Sequence, residues 1–285
     1  MKIRDIKYVY FDLDGTFLSS NKTPLKSTLA ILDQLKSKGI KCSIATGRTF
    51  YFAQKEINLI KPTLPIISCN SSLIYDSIED KIIYFNAIKK QTTKNIFNIL
   101  IENNAVFFIY TTKEVFIFKN PKTNPDSKWI NWFLETINSF EKKELIKFEF
   151  ITNPIDFKIE NHDVVKFLVI YSEMTNSQTK TIKELVNKLN DVYIVHSQKD
   201  VFDIMPIGST KGEGLKILDK KGIINLNHTL VFGDADNDID MFLKSKWSVA
   251  MGNANEEVKK NATFITSDND NDGIFLFFKK IMDQY

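Results

Sequence analysis

The sequence has little cysteine and no long apolar run. Two cysteines among 285 residues cannot form a disulfide framework. Cys42 and Cys69 both lie in apolar runs, so we expect buried free thiols in a reducing compartment. The longest apolar runs, Val106–Tyr110 and Ile274–Phe278, are far shorter than the ~20 residues that cross a bilayer. The first residues carry no apolar stretch of signal-peptide length. We therefore expect a cytoplasmic protein that is neither secreted nor inserted in a membrane.

The sequence also lacks a strong excess of charge of either sign. Its 38 Lys and Arg residues stand against 35 Asp and Glu residues, which gives a formal net charge of +3. Nucleic-acid-binding domains are typically strongly basic, so nucleic acid is disfavoured as the main partner. With 43% hydrophobic and 26% charged residues, the composition is that of a globular protein and not of a disordered chain.

Apolar strands alternate with helices at both ends of the chain. Tyr8–Asp12 and Ile40–Thr46 are apolar runs separated by a helical pattern, and Leu230–Gly233 and Trp247–Met251 repeat the arrangement near the C-terminus. Short strands that are apolar throughout and alternate with helices are typical of a parallel sheet covered on both faces. We therefore predict an α/β core with a doubly wound parallel sheet.

The middle of the chain follows a different pattern. Ala105–Thr112 and Lys113–Lys119 are adjacent strand-like runs, and such pairs indicate an antiparallel α+β module. We predict a core domain made of residues 1–86 and 207–285, into which residues 87–206 are inserted as a second domain.

Two carboxylates follow the first predicted strand, in the sequence DLDGT that begins at Asp12. Asp12 and Asp14 stand two positions apart, so the alternation of a strand directs both side chains to one side. They lie at the carboxyl end of the strand, where open α/β sheets bind ligands. Such close negative charges require a bridging cation or a proton, so the pair is a candidate nucleophile, metal ligand or general acid. The alternative is a polar turn after a strand.

Thr46 and Gly47 follow the second predicted strand, in the sequence ATGR. The Thr46 hydroxyl and the free backbone N–H groups where a helix begins near Arg48 make a natural place for a phosphate oxygen. The alternative is a helix cap with a glycine in the turn.

Lys211 lies at the start of a predicted helix, in the sequence GSTKG. A lysine there opposes the helix macrodipole, so its position indicates an anion that shares the site. The alternative is an ordinary exposed lysine.

Acidic residues crowd the end of the predicted strand Thr229–Phe232, in the sequence GDADND. Asp234 and Asp238 belong to this run, and Asn237 lies between them. Such a cluster is unstable without a cation, and oxygen ligands favour Mg²⁺ over zinc. No glutamate closes the ~12-residue loop that an EF-hand requires. The alternative is a solvated acidic turn that caps the following helix.

The order of these motifs is similar to that of the haloacid dehalogenase (HAD) superfamily of phosphohydrolases. DLDGT, ATGR, STKG, GDADND and VAMGN follow one another along the chain. The large insertion between the second and third motifs resembles that of the Cof-type group, subclass IIB. The resemblance covers residues 1–86 and 207–285. It implies a Rossmann-like catalytic core with an inserted α+β cap domain of the C2B type, which sets substrate specificity.

The resemblance implies a role for each carboxylate. Asp12 would be the nucleophile that forms an aspartyl-phosphate, and Asp14 would be the general acid and base. Asp12, the backbone carbonyl of Asp14, and Asp234 would bind Mg²⁺, with Asp238 either a direct ligand or a residue that orients the ligands.

Four further residues would hold the phosphoryl oxygens: Thr46, Gly47, Lys211 and Asn237. Lys211 would also offset charge near Asp12, and Asn237 would bind the phosphate or orient Lys211. Arg48 has two interpretations, a substrate contact or a pair with a core carboxylate.

Two loops depart from the family pattern. Asn70 is followed by Ser71 and Ser72 where the family often has Asn-Gly, and Ala235 stands where glycine is frequent. These departures concern the geometry of the loops and not the catalytic side chains.

The sequence therefore predicts a Mg²⁺-dependent phosphatase of small phosphomonoesters, such as sugar phosphates or related metabolites. The expected partner is a small phosphorylated metabolite, with no nucleic acid and no membrane, and the protein is expected to be a monomer or a weak homodimer. One alternative is a phosphomutase of the phosphomannomutase type. The other is a non-catalytic phosphate-sensing switch, because receiver domains also combine clustered Asp, Thr and Lys.

Overall fold

The computed structural model describes residues 1–119, 126–139, 147–198 and 200–282. Contacts divide the chain into two compact units. The first unit comprises Met1–Tyr84 and Ser209–Tyr285, and the second comprises Phe85–Gly208.

Strands and helices alternate along much of the described chain. The strands are β1 (Tyr8–Phe11), β2 (Lys41–Ile44), β3 (Ile66–Ser68), β4 (Leu73–Asp76), β5 (Lys81–Phe85), β6 (Phe107–Thr111), β7 (Glu114–Phe118), β8 (Lys147–Phe150), β9 (Val164–Ile170), β10 (Val192–Gln198), β11 (Val201–Pro206), β12 (Thr229–Gly233), β13 (Trp247–Ala250) and β14 (Phe264–Ile265). The helices are α1 (Lys26–Ser37), α2 (Gln54–Ile60), α3 (Lys90–Glu102), α4 (Lys128–Asn138), α5 (Asn176–Val186), α6 (Lys211–Lys220), α7 (Ile239–Lys244), α8 (Glu256–Lys260) and α9 (Gly273–Met282).

The first unit is built on a parallel sheet with the strand order β14-β13-β12-β1-β2. Side chains of the central strand β1 are buried on both faces. Val9 and Phe11 lie in one apolar cluster with Leu32 of α1, and Tyr10 lies in another with Leu215 of α6. Because a strand buried on both faces needs apolar residues at every position, its sequence is continuously hydrophobic. The predicted doubly wound α/β core is confirmed.

A small sheet of order β3-β4-β5 lies beside the end of β2. Ala45 and Ile67 form an isolated parallel bridge, and the Thr46 N–H donates to the Ile67 carbonyl at 2.8 Å. The chain that follows β2 is therefore tied to β3, and the turn after β3 lies next to it.

The second unit is a six-stranded sheet of order β10-β11-β9-β6-β7-β8. Phe107, Ile109 and Phe167 pack on Phe97 of α3 and Ile182 of α5. The predicted fold class, in which an α+β cap domain is inserted into an α/β core, is confirmed. Its pairs are antiparallel except β7 and β8, which are parallel. A parallel neighbour needs a crossover connection, and α4 lies in the connection between these two strands.

Among the described residues, no helix is both long enough and apolar enough to cross a membrane.

Candidate active site

The predicted site residues follow three neighbouring strands of the core sheet. β1 lies between β2 and β12, and all three run in the same direction. Asp12 directly follows β1, Thr46 comes shortly after β2, and Asp234 directly follows β12. Because parallel strands end at the same edge of a sheet, these residues come from one edge, where ligands bind in α/β folds.

Lys211 is a buried cation between two carboxylates. Its Nζ donates to Asp12 Oδ1 at 2.5 Å and to Asp238 Oδ1 at 2.6 Å, and its side chain is only 1% exposed. Burial alone would lower the pKa of Lys211, but the charges and hydrogen bonds of Asp12 and Asp238 raise it above its ordinary value. Lys211 is the first residue of α6, where the Thr210 hydroxyl caps the helix. A positive charge at this helix terminus is stable because anionic groups surround it.

Asp12, Asp234 and Asp238 form a carboxylate cluster. One oxygen from each lies within 4.8 Å of the others. Burial raises the pKa of Asp12 well above its ordinary value, and the charges of Asp238 and Asp234 raise it further, against the effect of Lys211. Burial also raises the pKa of Asp234 to about 6. Three converging carboxylates are an oxygen-rich donor set that fits a hard divalent cation.

Asp238 organises the loop after β12. Its Oδ2 accepts hydrogen bonds from the backbone N–H groups of Asp234 at 2.9 Å and Ala235 at 3.0 Å, while its Oδ1 accepts from Lys211. A Cβ on Gly233 would lie 2.5 Å from the Asp238 Cβ, so the loop folds back this closely only with glycine there. Asp238 therefore holds the loop and the lysine at once.

Asp14 is engaged by cations outside this carboxylate cluster. Arg48 donates from Nη2 to Asp14 Oδ1 at 2.6 Å and from Nε to Oδ2 at 2.7 Å, and Lys22 donates to Oδ1 at 2.9 Å. Burial would raise the pKa of Asp14, but the bonds and charges of Arg48 and Lys22 outweigh it and lower the pKa to about 2. Arg48 also donates to Glu56 at 3.2 Å. Of the two interpretations of Arg48, the structure shows the ion pair with a carboxylate, that of Asp14.

The prediction that strand alternation directs the side chains of Asp12 and Asp14 to one side is wrong, because the strand does not extend to Asp14. β1 ends at Phe11, and Gly15 has a φ of +84°, so a turn replaces the strand after Asp12. This turn is what allows Asp14 to meet Arg48.

Asp234 is held by residues that the sequence reasoning did not single out. The Thr16 hydroxyl donates to Asp234 Oδ1 at 2.6 Å. Asn253 Nδ2 donates to Asp234 Oδ2 at 3.3 Å and to the Gly15 carbonyl at 2.9 Å. Thr16 lies in the DLDGT motif and Asn253 in the VAMGN motif, so the sequence points to these two residues only through their motifs.

The segment after β2 meets the turn after β3. The Arg48 N–H donates to the Thr46 hydroxyl at 3.1 Å, and the Thr46 carbonyl accepts from the Asn70 N–H at 3.0 Å. Asn237 Nδ2 donates to Asn70 Oδ1 at 3.2 Å, and a Cβ on Gly47 would lie 3.5 Å from that oxygen. The structure thus joins the predicted phosphate-binding residues Thr46, Gly47 and Asn237 through Asn70.

The family model for haloacid dehalogenase-like hydrolases matches residues 9–278 of the chain. The chain belongs to this family. A Mycoplasma genitalium protein named "Putative phosphatase MG265" is 35% identical to the hydrolase over 285 residues, which cover 98% of the hydrolase and 99% of that protein.

Solved structures share the fold of the hydrolase. The crystal structure of a haloacid dehalogenase-like hydrolase from Bacteroides thetaiotaomicron has a TM-score of 0.80 at 21% identity, covering 98% of this chain and 100% of that one. The structure of the HAD subclass IIB sugar phosphatase BT4131 has a TM-score of 0.73 at 23% identity, covering 97% and 99%. The predicted membership of the HAD superfamily, of the Cof type, and the prediction of an enzyme are confirmed.

Gly15→Ala is expected to destabilise the hydrolase by about 2–5 kcal/mol. The left-handed backbone costs an alanine about 1–2 kcal/mol, and the added Cβ would press on the Asp234 carboxylate, 2.8 Å from its Cγ, at a further cost of about 1–3 kcal/mol. Gly39→Ala is the matched control, because Gly39 has a φ of +77° and nothing within 4 Å of the Cβ position. Urea unfolding of both variants measures the difference. Equal losses of stability would contradict the close approach of Gly15 to Asp234.

Proposed function

We propose that the protein is a Mg²⁺-dependent phosphatase that hydrolyses small phosphomonoesters, including sugar phosphates or related metabolites, through an aspartyl-phosphate. The observation that carries the proposal is the buried Lys211 between Asp12 and Asp238, with Asp234 beside them at the carboxyl edge of the sheet. The name of the Mycoplasma genitalium relative supports a phosphatase, and the name of the subclass IIB sugar phosphatase supports sugar phosphates as the substrate class.

Asp12 is proposed as the nucleophile. Its carboxylate oxygen bonds to the phosphorus while the ester P–O bond breaks, and the leaving alkoxide takes a proton from Asp14. Asp14 then takes a proton from water, whose oxygen bonds to the phosphorus as the aspartyl P–O bond breaks, and phosphate leaves with the Asp12 carboxylate restored. Splitting the hydrolysis into two displacements replaces one difficult step with two easier ones. Lys211 stays within reach of Asp12 and neutralises charge on the phosphoryl oxygens.

The proposed phosphate site uses the segment after β2 and the loop after β12. Thr46 would supply a hydroxyl, Gly47 a backbone N–H, Asn237 an amide and Lys211 an ammonium group. Phosphoryl transfer mainly requires that the reacting groups are positioned and that the charge on the phosphoryl oxygens is neutralised. All of these groups can donate hydrogen bonds to those oxygens.

The proposed metal ligands are Asp12, Asp234 and the backbone carbonyl of Asp14, with Asp238 either a direct ligand or a residue that orients the ligands. A bound Mg²⁺ supplies positive charge that offsets both the carboxylates and the phosphoryl oxygens. The raised pKa values of Asp12 and Asp234 support this proposal, because ionising the cluster is costly without a cation.

Asp14 is proposed as the general acid and base. As a base it must be ionised, which its pKa of about 2 favours. As an acid it must carry a proton, which the ion pairs with Arg48 and Lys22 oppose. The proposal therefore requires the Asp14 carboxyl to leave Arg48 and Lys22 before it protonates the leaving group.

We also propose that residues 1–86 and 207–285 carry the catalysis and that the inserted residues 87–206 select the substrate. A cytoplasmic location and a monomer or weak homodimer belong to the same proposal. The cysteines support the location, because Cys42 and Cys69 are both buried and neither is in a disulfide. Burial raises the pKa of Cys42 to about 12, which leaves it unreactive.

Removal of Mg²⁺ is expected to abolish phosphate release from a generic aryl phosphate. The measurement compares initial rates with Mg²⁺, with a chelator, and with Mg²⁺ restored. Activity that persists unchanged in the chelator would contradict the metal requirement. Incubation with a hexose 1-phosphate completes the test, since conversion to the 6-phosphate without free phosphate would identify a phosphomutase instead.

A further inference from the structure

The turn after β3 has an unusual backbone. Cys69, Asn70 and Ser71 are consecutive, and their φ angles are +49°, +50° and +81°. Residues other than glycine seldom adopt positive φ, because the Cβ crowds the backbone. Three in succession store strain, and strained backbone persists where the surrounding structure enforces it, often at functional sites.

Two neighbouring elements enforce this turn. The Cys69 N–H donates to the Arg48 carbonyl at 2.9 Å, and the Asn70 N–H donates to the Thr46 carbonyl at 3.0 Å. On the other side, a Cβ on Gly214 of α6 would lie 2.9 Å from the Ser71 Cβ, so the helix packs directly on the turn. The turn is therefore fixed relative to both the Thr46 segment and the helix that begins with Lys211.

The enforced backbone aims the Asn70 side chain at the proposed phosphate site. The residue is only 3% exposed, and its two terminal atoms lie 3.5 Å and 3.7 Å from the Cβ position of Gly47. Asn70 Oδ1 accepts a hydrogen bond from Asn237, which fixes the orientation of the amide. Within the described part of the chain, Asn70 Nδ2 donates to no acceptor. The Nδ2 group is not fully buried, so it is open to a ligand that supplies an acceptor oxygen.

We propose that Asn70 is a phosphate-binding residue whose Nδ2 donates to a phosphoryl oxygen of the substrate. The inference rests on the proposed phosphatase function and adds a residue to it. The strained turn holds Asn70 beside Thr46 and Gly47, while Asn237 orients its amide. The chemistry that this position recognises is an anionic oxygen, either of a phosphomonoester or of the phosphate product.

Asn70→Gly separates the side chain from the backbone. Glycine adopts positive φ without strain, so the variant removes the amide while the turn is retained. Loss of a hydrogen bond to a charged group is expected to weaken inorganic phosphate binding, in the presence of Mg²⁺, by about 10- to 100-fold. Asn70→Asp is expected to weaken it further, because it puts a negative charge in place of the donor. The binding is measured by calorimetry and by phosphate inhibition of aryl phosphate turnover.

Asn104→Gly is the matched control, since Asn104 also has a positive φ, of +51°, in the second unit. We expect it to bind phosphate as the wild type does. Asn70 variants that bind phosphate within twofold of an active wild type would overturn the inference and leave the phosphatase intact. A wild type that neither binds phosphate nor releases it from an aryl phosphate would overturn the proposed function and this inference together.

Discussion

Asp12→Asn is expected to lower the rate of phosphate release by about 10⁴-fold or more. An amide has no anionic oxygen to bond to phosphorus, and removal of a catalytic nucleophile costs on the order of 10⁴–10⁶ in rate. The two side chains have nearly the same shape, so the Lys211 pocket keeps its packing. The measurement is kcat for an aryl phosphate in the presence of Mg²⁺.

Thermal unfolding separates this effect from a loss of structure. The Asp12→Asn variant loses the ion pair with Lys211. It also loses the repulsion between the Asp12 carboxylate and those of Asp234 and Asp238, which raises the pKa of Asp12 in the wild type. These changes oppose one another, so we expect a folded variant with a cooperative transition.

Asp236→Asn is the matched control for the nucleophile. Asp236 is exposed in the loop after β12 and accepts a hydrogen bond only from Asn255 among the described side chains. It carries no proposed catalytic role, so we expect activity close to that of the wild type. Wild-type turnover by Asp12→Asn, or an equal loss in both variants, would contradict the assignment of Asp12.

Lys211→Met is expected to destabilise the protein by about 3–5 kcal/mol and to abolish activity. Removing one member of a buried ionic cluster leaves the remaining charges without compensation. Here two carboxylates lose their shared partner, and Asp238 is fully buried. Chemical denaturation measures the free energy of unfolding. Lys216→Met on the same helix is the control, because the side chain of Lys216 is 52% exposed and its ion pair contributes about 0–1 kcal/mol.

The stability loss of Lys211→Met should depend on pH. Burial raises the pKa of Asp12, and loss of the lysine raises it further. Both folded proteins hold a proton on Asp12 above about pH 4, where the unfolded chain releases it, but the variant holds it to a higher pH. The deficit therefore shrinks as the pH falls through the range between the two folded-state pKa values of Asp12. Adding Asp238→Asn should restore part of the stability but none of the activity. A deficit that is independent of pH would contradict the ionic origin.

The sequence predicts the core and the edge of the site because both depend on local patterns. Continuous apolar strands alternating with helices are compatible with few arrangements other than a parallel sheet. Once β1 and β12 are neighbours, Asp12 and Asp234 must end at one edge. The cap sheet was less predictable, because the pairing of β7 with β8 depends on a long connection and not on the residues of either strand.

Side-chain partners were the least predictable part of the site. Asp14 meets Arg48 across a separation of 34 residues, and Asn70 meets Asn237 across 167. Such contacts depend on tertiary structure, which no spacing encodes. Asn70 is an example. The sequence drew attention to this position only because the two residues that follow Asn70 depart from the family pattern. Its proposed function depends on a strained turn that α6 packs against, which the sequence does not show.

The proposed mechanism is tested most directly by identifying which residue holds the phosphoryl group during turnover. The wild type is mixed with radiolabelled phosphomonoester and Mg²⁺, quenched in acid within one turnover, and digested for peptide mapping. We expect label attached covalently at Asp12, released by hydroxylamine as expected for an acyl phosphate, and absent from Asp12→Asn. Turnover with no covalent label in either protein, or label on another residue, would contradict the proposed mechanism.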